Sequence, residues 1–298
     1  MTDKPSSAVV GAWARDKLDA LGEYLNYYTT ALKKQVHWNL VFVDAFAGGG
    51  KARVKTASAP GAGPLLLEEG QVDAEQFELI KGSPRVALDV TNPFDNYVFI
   101  DPDKVRVREL NELKVEYEGR RLIEVREGSA HDEIAAVLAA GVSRRTHRGV
   151  AFLDPFGANL SWDTIEALAS TGAFEVLINF GLNMTIQRML PNSAQFQPGW
   201  RDRLDAYFGT PRWYDEVYEQ TNDLLGTVLA KRADYHVRLL EMYRLRLKQA
   251  FGYVSSARLI RNTRGIPLYY LIWAGPHPLG LKGADYILKK GEPQGRRR

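Results

Sequence analysis

Two stretches of the chain carry residue types that could do chemistry. The first is Asp44-Ala45-Phe46-Ala47-Gly48-Gly49-Gly50, directly after the apolar run Asn39-Leu40-Val41-Phe42-Val43. Glycines let the backbone turn tightly and approach a ligand where a Cβ would clash. An acid just before them repels a phosphate but can accept from an ammonium. The pattern therefore suits the amino-acid end of S-adenosylmethionine (SAM) better than a pyrophosphate. A dinucleotide site would show G-x-G-x-x-G without this acid, and a P-loop needs Gly-Lys-Ser/Thr, whereas Gly50-Lys51 is followed by Ala52. A Gly-rich turn in some other α/β protein is the competing explanation. Asp44, Phe46, Gly48 and Gly50 are the first candidate cofactor contacts.

The second stretch is Leu153-Asp154-Pro155-Phe156-Gly157, also at the end of an apolar run. Asp154 can accept a hydrogen bond from an exocyclic amine, Pro155 stiffens the turn, and Phe156 can stack on a flat base. An amine lone pair held towards a sulfonium methyl reacts by in-line displacement, and positioning supplies most of the effect. The bland alternative makes Asp154 the cap of the next helix and Phe156 a core residue. Between the two stretches, Asp101 ends another apolar run and could accept from ribose hydroxyls; a helix-capping acid is the alternative, which Asp103 also fits. In Gly128-Ser129-Ala130-His131-Asp132, the small residues Ser129 and Ala130 could lie against an adenine. The five histidines show no spacing that would build a metal site with nearby acids, so no metal is expected.

The elements that must position these residues alternate. Trp13 to Val36 reads as an amphipathic helix, with Trp13, Leu18, Leu21, Leu25, Tyr28 and Leu32 near one face. Strand-like runs follow at 39–43, 97–100, 122–125, 150–153 and 176–180, separated by helical patterns over 103–117 and 132–140. Ser83 and Pro84 look like the N-cap and first residue of a further helix over 85–90. Composition over Gly49–Gly63 suggests a mobile loop. Late strands at 257–260 and 268–273 suit a closing pair. The expected class is α/β: a Rossmann-like, class I methyltransferase sheet, mostly parallel with an antiparallel closing strand, plus a helical insertion.

The expected organisation is a helical extension over 1–38, a core over 39–183 and 253–290, and a helical insertion over 184–252. That insertion is the candidate substrate-recognition segment. Asn183, Arg188, Arg201 and Arg212 are its candidate substrate contacts, since arginine among aromatics can hold a nucleic acid strand; a solvated helix face over a Trp/Tyr core is the alternative. The tail from Gly291 to Arg298 is Gly/Arg-rich and reads as disordered.

Composition narrows the field. With 298 residues, 45% hydrophobic and 25% charged, the chain is ordinary for a globular protein. The formal charge of +3 permits an RNA or DNA partner without arguing for one. There is no cysteine, which excludes disulfides, thiolate zinc sites and cysteine nucleophiles. No signal-peptide pattern opens the chain and no apolar run spans a bilayer, so no membrane partner and a cytoplasmic location are expected.

From about Trp13 to Leu288 the chain resembles the three-Cys-motif partner protein (TcmP) family. The residues that carry this are Val43-Asp44-Ala45-Phe46-Ala47-Gly48, Gly82-Ser83-Pro84 with Ala87-Leu88, Phe99-Ile100, and Leu153-Asp154-Pro155-Phe156-Gly157 with Trp162. The match continues through Asn183, Arg188, Leu190-Pro191, Trp200, Phe208-Gly209, Trp213, Tyr269-Tyr270-Leu271-Ile272 and His277-Pro278-Leu279-Gly280. The resemblance implies a SAM-dependent methyltransferase fold, with S-adenosylhomocysteine as product, and a three-Cys-motif protein as partner. The Asp-Pro-Phe-Gly stretch is also similar to that of tRNA guanine-N2 dimethyltransferases, and more loosely to the Asp/Asn-Pro-Pro-Tyr/Phe loop of amino-methylating enzymes. A single Pro follows Asp154, which sets it apart from N6-adenine enzymes. Ser129 stands where many methyltransferases carry an acid. The expected activity is methylation of an exocyclic amine of a nucleobase in RNA or DNA, with a small-molecule methyltransferase and a non-catalytic partner protein as rivals.

Overall fold

The computed structural model describes residues 9–10, 13–55, 77–223, 226–262, 264–290 and 292–293. Seven strands form the body of a nine-stranded sheet: β1 (Asn39–Asp44), β2 (Asn96–Asp101), β3 (Ile123–Glu127), β4 (His147–Leu153), β5 (Phe174–Phe180), β6 (Arg258–Arg261) and β7 (Pro267–Gly275). Their spatial order is β3-β2-β1-β4-β5-β7-β6. Strands β1 to β5 pair in parallel, and β7 runs antiparallel to both β5 and β6. This is the Rossmann-like methyltransferase sheet with its antiparallel closing strand. Two short strands complete it: Tyr253–Val254 on β7 and Glu292–Pro293 on β6.

Alternation along the strands builds two cores, because successive side chains point to opposite faces. Leu40 and Phe42 of β1 face one side, and Val41 and Val43 the other. The first side is covered by α1 (Trp13–Leu32), α2 (Ser83–Leu88), α3 (Lys104–Glu116) and, later in the chain, α9 (Pro278–Leu288). The second is covered by α4 (Ala130–Ala139) and α5 (Trp162–Ser170), together with insertion helices α6 (Trp200–Phe208), α7 (Trp213–Val217) and α8 (Tyr235–Phe251). Double coverage explains why β1, β4 and β5 lack polar alternation. Among the described residues no helix is long and apolar enough to cross a membrane.

The order of strands reverses between β1 and β4, since β2 and β3 lie on one side of β1 and β5 on the far side of β4. Ligand crevices in open α/β sheets form at such a switch, outside the carboxyl ends of the strands. Asp44 and Asp154, the acids of the two candidate stretches, lie at the ends of the two strands that flank it, with Asp44 in register with Phe152.

Four features depart from expectation. The 49–63 stretch is not all loop, because Lys51–Lys55 is a strand paired antiparallel with Phe77–Lys81 and in parallel with Val9–Val10; residues 56–63 lie outside the described residues. Helix α2 has Gly82, not Ser83, at its N-cap and so no side-chain cap; Ser83 is its first residue, with its hydroxyl turned towards Asp44. The insertion also contains an antiparallel hairpin, Tyr218–Asp223 with Gly226–Lys231. In the tail, Glu292–Pro293 is paired, and residues 294–298 lie outside the described residues.

Candidate active site

The Gly loop leaves β1 pinned by its neighbours. Ala45 N–H donates to Phe152 O at 3.1 Å and Ala47 N–H to Ile100 O at 2.9 Å, so the loop is held between β4 and β2. Gly48 has φ +61, and a Cβ there would meet open space within 4 Å. Gly82 is glycine for contact: its Cβ would lie 2.8 Å from the Gly50 carbonyl carbon. Gly82 N–H donates to Gly50 O at 3.0 Å, which ties the start of α2 to the loop. Phe46 and Gly48 are half-buried; Gly50 is buried.

Asp44 is fully buried. Its Oδ1 accepts a long bond from Phe46 N–H (3.3 Å), and its Oδ2 has no hydrogen-bond partner among the described residues. Burial pushes its carboxyl up to about 7; Ser83 and the Phe46 N–H oppose this, Asp154 adds to it, and Lys17 opposes it. A buried acid with unused acceptor capacity is costly unless a donor arrives.

Asp154 accepts from Asn179 Nδ2 on Oδ1 and from the ammonium of Lys17 on Oδ2. Lys17 belongs to α1 and is largely shielded from solvent, with 14% of its side chain exposed. Its ammonium also lies 5.6 Å from the centre of the Tyr269 ring. Asn179 Oδ1 and the Tyr269 hydroxyl are buried without a partner among the described residues. Burial, reinforced by Asp154 and Asp16, holds the Tyr269 phenol protonated well above its ordinary range. Three orphaned polar atoms, on Asp44, Asn179 and Tyr269, thus surround the Lys17–Asp154 pair. The bland alternatives for the second stretch fail. Helix α5 is capped by Ser161, whose side chain accepts from Asp163 N–H, and Phe156 is 63% exposed. Pro155 is half-buried.

Other candidates are placed differently. Asp101 faces inward at 2% exposure. It accepts Gly48 N–H at 3.0 Å and Asp103 N–H at 2.9 Å, and Arg106 lies 3.6 Å away. In this state it braces the Gly loop. Asp103 is the N-cap of α3. Ser129 caps α4, accepting from Asp132 N–H (3.2 Å) and donating to Asp132 Oδ2 (2.7 Å), with buried Ala130 as the first helical residue. Among the insertion candidates, Arg201 lies over the Tyr214 ring at 4.8 Å. Arg212 lines a groove between α7 and α8 with Arg238, Met242 and Arg246. No contact brings either of them to Asp154. Arg188 is exposed and Asn183 half-buried after β5.

Sequence reasoning passed over Lys17, Arg106 and Tyr269 and left Ser83 and Asn179 without a site role. Lys17 had a signal. It stands on the same stripe as Leu21, Tyr24 and Tyr28, so an α-helix turns its ammonium inward. Arg106 reaches both Asp101 and the Phe156 ring, 5.4 Å from its centre, and so links the carboxyl ends of β2 and β4.

No protein-family model matches this sequence, and neither does any curated protein. The resemblance to the TcmP family therefore rests on the residues quoted above. Among solved structures, the fold is similar to a protein of Legionella pneumophila str. Philadelphia 1 with the family model DUF519. Identity is 11%, with 92% of this chain and 91% of that one covered and a TM-score of 0.47. A conserved hypothetical protein of Streptococcus pyogenes is 13% identical over 68% of this chain and 94% of that one, with a TM-score of 0.30. The Escherichia coli protein yhhF, named as a candidate methyltransferase, is 12% identical over 70% and 86%, with a TM-score of 0.30. The strand order, with its reversal between β1 and β4 and its antiparallel closing strand, makes this chain's fold methyltransferase-like.

Proposed function

We propose that this chain is a SAM-dependent methyltransferase that methylates an exocyclic amine of a nucleobase in RNA or DNA. The observation that carries the reading is the partnerless Oδ2 of buried Asp44, beside a Gly loop and across the switch crevice from Asp154. A carboxylate in that state fits an ammonium, the group that distinguishes the amino-acid end of SAM from a nucleotide phosphate. When bound, that cofactor supplies an electrophilic methyl group on a sulfonium. Asp44 would receive the ammonium, Gly48 and Gly50 would admit the ligand to the backbone, and Asp101 would hold the loop's shape through Gly48 N–H.

Asp154 is the residue for the amine. An ionised carboxylate has about four lone-pair directions, and Asn179 and Lys17 take two. One remaining direction can accept an amine N–H, fix the nitrogen's orientation and stabilise the positive charge that develops on it. Lys17 and Asn179 hold the carboxylate in place. Phe156, exposed at the mouth, offers a face for the base.

The test is calorimetry with SAM and S-adenosylhomocysteine, followed by transfer of tritium from labelled SAM into total RNA, DNA and small-molecule extracts. Micromolar binding and label in a nucleic acid are expected. No heat with either ligand would sink the enzyme reading. The placement of Arg201 and Arg212 away from Asp154 favours a second reading, a small-molecule amine. Label in the small-molecule extract, with no dependence of binding on salt, would select it. The three-Cys-motif partner that the resemblance implies is part of the proposal, tested by co-purification with such a protein.

A further inference from the structure

A second cavity, of about 530 Å³, opens at the opposite edge of the sheet, where β4 and β5 begin and β7 ends. None of the residues assigned to the candidate active site lines it. Its size falls in the range of small-molecule sites. Two arginines line it, Arg144 and Arg148, and neither forms an ion pair with a carboxylate among the described residues. Arg148 is half-buried; it donates to His147 O at 2.8 Å and to Arg144 O, and its guanidinium covers the Trp38 ring at 4.0 Å. Its burial disfavours its charge, a cost that an anion would offset.

The remaining walls are aromatic and polar in a specific way. Tyr28 and Trp38 face the cavity from α1 and the loop after it. His277 uses Nδ1 to accept Leu279 N–H at 3.2 Å, which leaves the proton on Nε2 and makes that atom a donor. Glu175 lines the cavity as well, with Oε2 taken by Tyr24 and by Trp273 Nε1 at 3.3 Å. Two arginines, a histidine donor and aromatic side chains therefore line one partly open cavity beside the buried Glu175.

We infer that this cavity is a binding site for a planar aromatic anion no larger than a mononucleotide, its acidic group on Arg144 and Arg148 and its ring beside Trp38. Stacked rings and guanidinium pairs with an acidic group are the interactions these side chains make best. A phosphate and a carboxylate share this chemistry, and the experiment separates them. The full chain is titrated by calorimetry with adenosine monophosphate and, separately, with indole-3-carboxylate. At least one should bind with a Kd below about 1 mM; the probe that binds identifies the acidic group.

Arg148→Met should weaken that binding by about tenfold or more. Ala31→Glu should do the same, because it sets a carboxylate in the cavity mouth at an exposed helix position that the core does not use. Gly48→Val should leave the binding unchanged, since it alters only the opposite edge. Absence of binding for both probes would overturn the inference. So would binding lost in Gly48→Val but kept in Arg148→Met and Ala31→Glu, which would place the probe in the Gly-loop crevice.

Discussion

Among the carboxyl groups buried in the sheet, Glu175 and Asp44 lie at opposite edges and differ in one respect that matters. Glu175, at the start of β5, and Asp44, at the end of β1, are both pushed by burial up to about 7. Glu175 has two side-chain donors on one oxygen, the Tyr24 hydroxyl and, at 3.3 Å, the Trp273 indole. Asp44 has a long bond from its own loop, the Ser83 hydroxyl turned towards it, and an oxygen with no partner among the described residues. Burial alone does not mark a ligand-binding acid, because Glu175 is buried to a similar degree within a built network. Unused acceptor capacity marks it. The difference follows from position: at the amino edge α1 and β7 bring Tyr24 and Trp273 to Glu175, while Asp44 stands at the carboxyl edge, where the strand order reverses.

The largest effect should come from the carboxyl edge. Asp154→Asn keeps size and shape but replaces the charge, and turnover on an identified substrate should fall by about a hundredfold or more. Calorimetry should show SAM affinity little changed. Full retained turnover would remove the amine-methylation mechanism, and loss of SAM binding would mean that the roles of Asp44 and Asp154 are misassigned.

Next comes a direct contest between the two buried acids. Asp44→Asn should weaken SAM binding by about thirtyfold, the scale of one charged hydrogen bond, and Glu175→Gln should leave it unchanged. Both should alter the pH dependence of stability in the same sense. A carboxyl whose folded-state value is raised lends stability that is complete below its unfolded value and is lost as pH rises through about 7. Urea unfolding should therefore show each variant gaining on the parent between pH 5 and pH 8, by on the order of 2 kcal/mol. S-adenosylhomocysteine should cancel the gain of Asp44→Asn and leave that of Glu175→Gln. Equal behaviour of the two variants with that ligand would erase the distinction drawn between the edges.

Much of the fold was legible because strand ends and loops are local. The runs 39–43, 97–100, 150–153 and 176–180 are continuous apolar segments, and each lies within an observed strand. The acids and glycines that follow them were legible for the same reason. What escaped depends on contacts distant in sequence. Lys51-Ala52-Arg53-Val54-Lys55 has loop-like composition and becomes a strand through pairing with 77–81. Ser83 fits a cap by its type and position, yet its hydroxyl is drawn to Asp44, a partner 39 positions away in the numbering. The inward turn of Asp101 depends on the Gly48 amide, which no local pattern reveals.

The smallest expected effect concerns Lys17, and it tests whether the two edges are separable at all. Helix α1 runs from one to the other: Lys17 near its start holds Asp154, and Tyr24 two turns later holds Glu175. An α-helix of 20 residues is a stiff rod about 30 Å long, so disturbance at one end could displace the other. Lys17→Met keeps the aliphatic stem and the helix propensity and removes only the ammonium. Asp154 then keeps Asn179 as its single protein partner and is held less firmly. Turnover should fall by about tenfold, with Lys17→Arg restoring part of it. Because α1 is anchored at its far end by its own apolar contacts and by Tyr24, the pH dependence of stability attributed to Glu175 should not move. A tenfold loss with partial rescue and an unchanged stability profile makes Lys17 a positioning residue for Asp154. If the profile shifts as well, α1 moves as one body and joins the two edges mechanically, and a ligand at the amino edge would then be felt at Asp154.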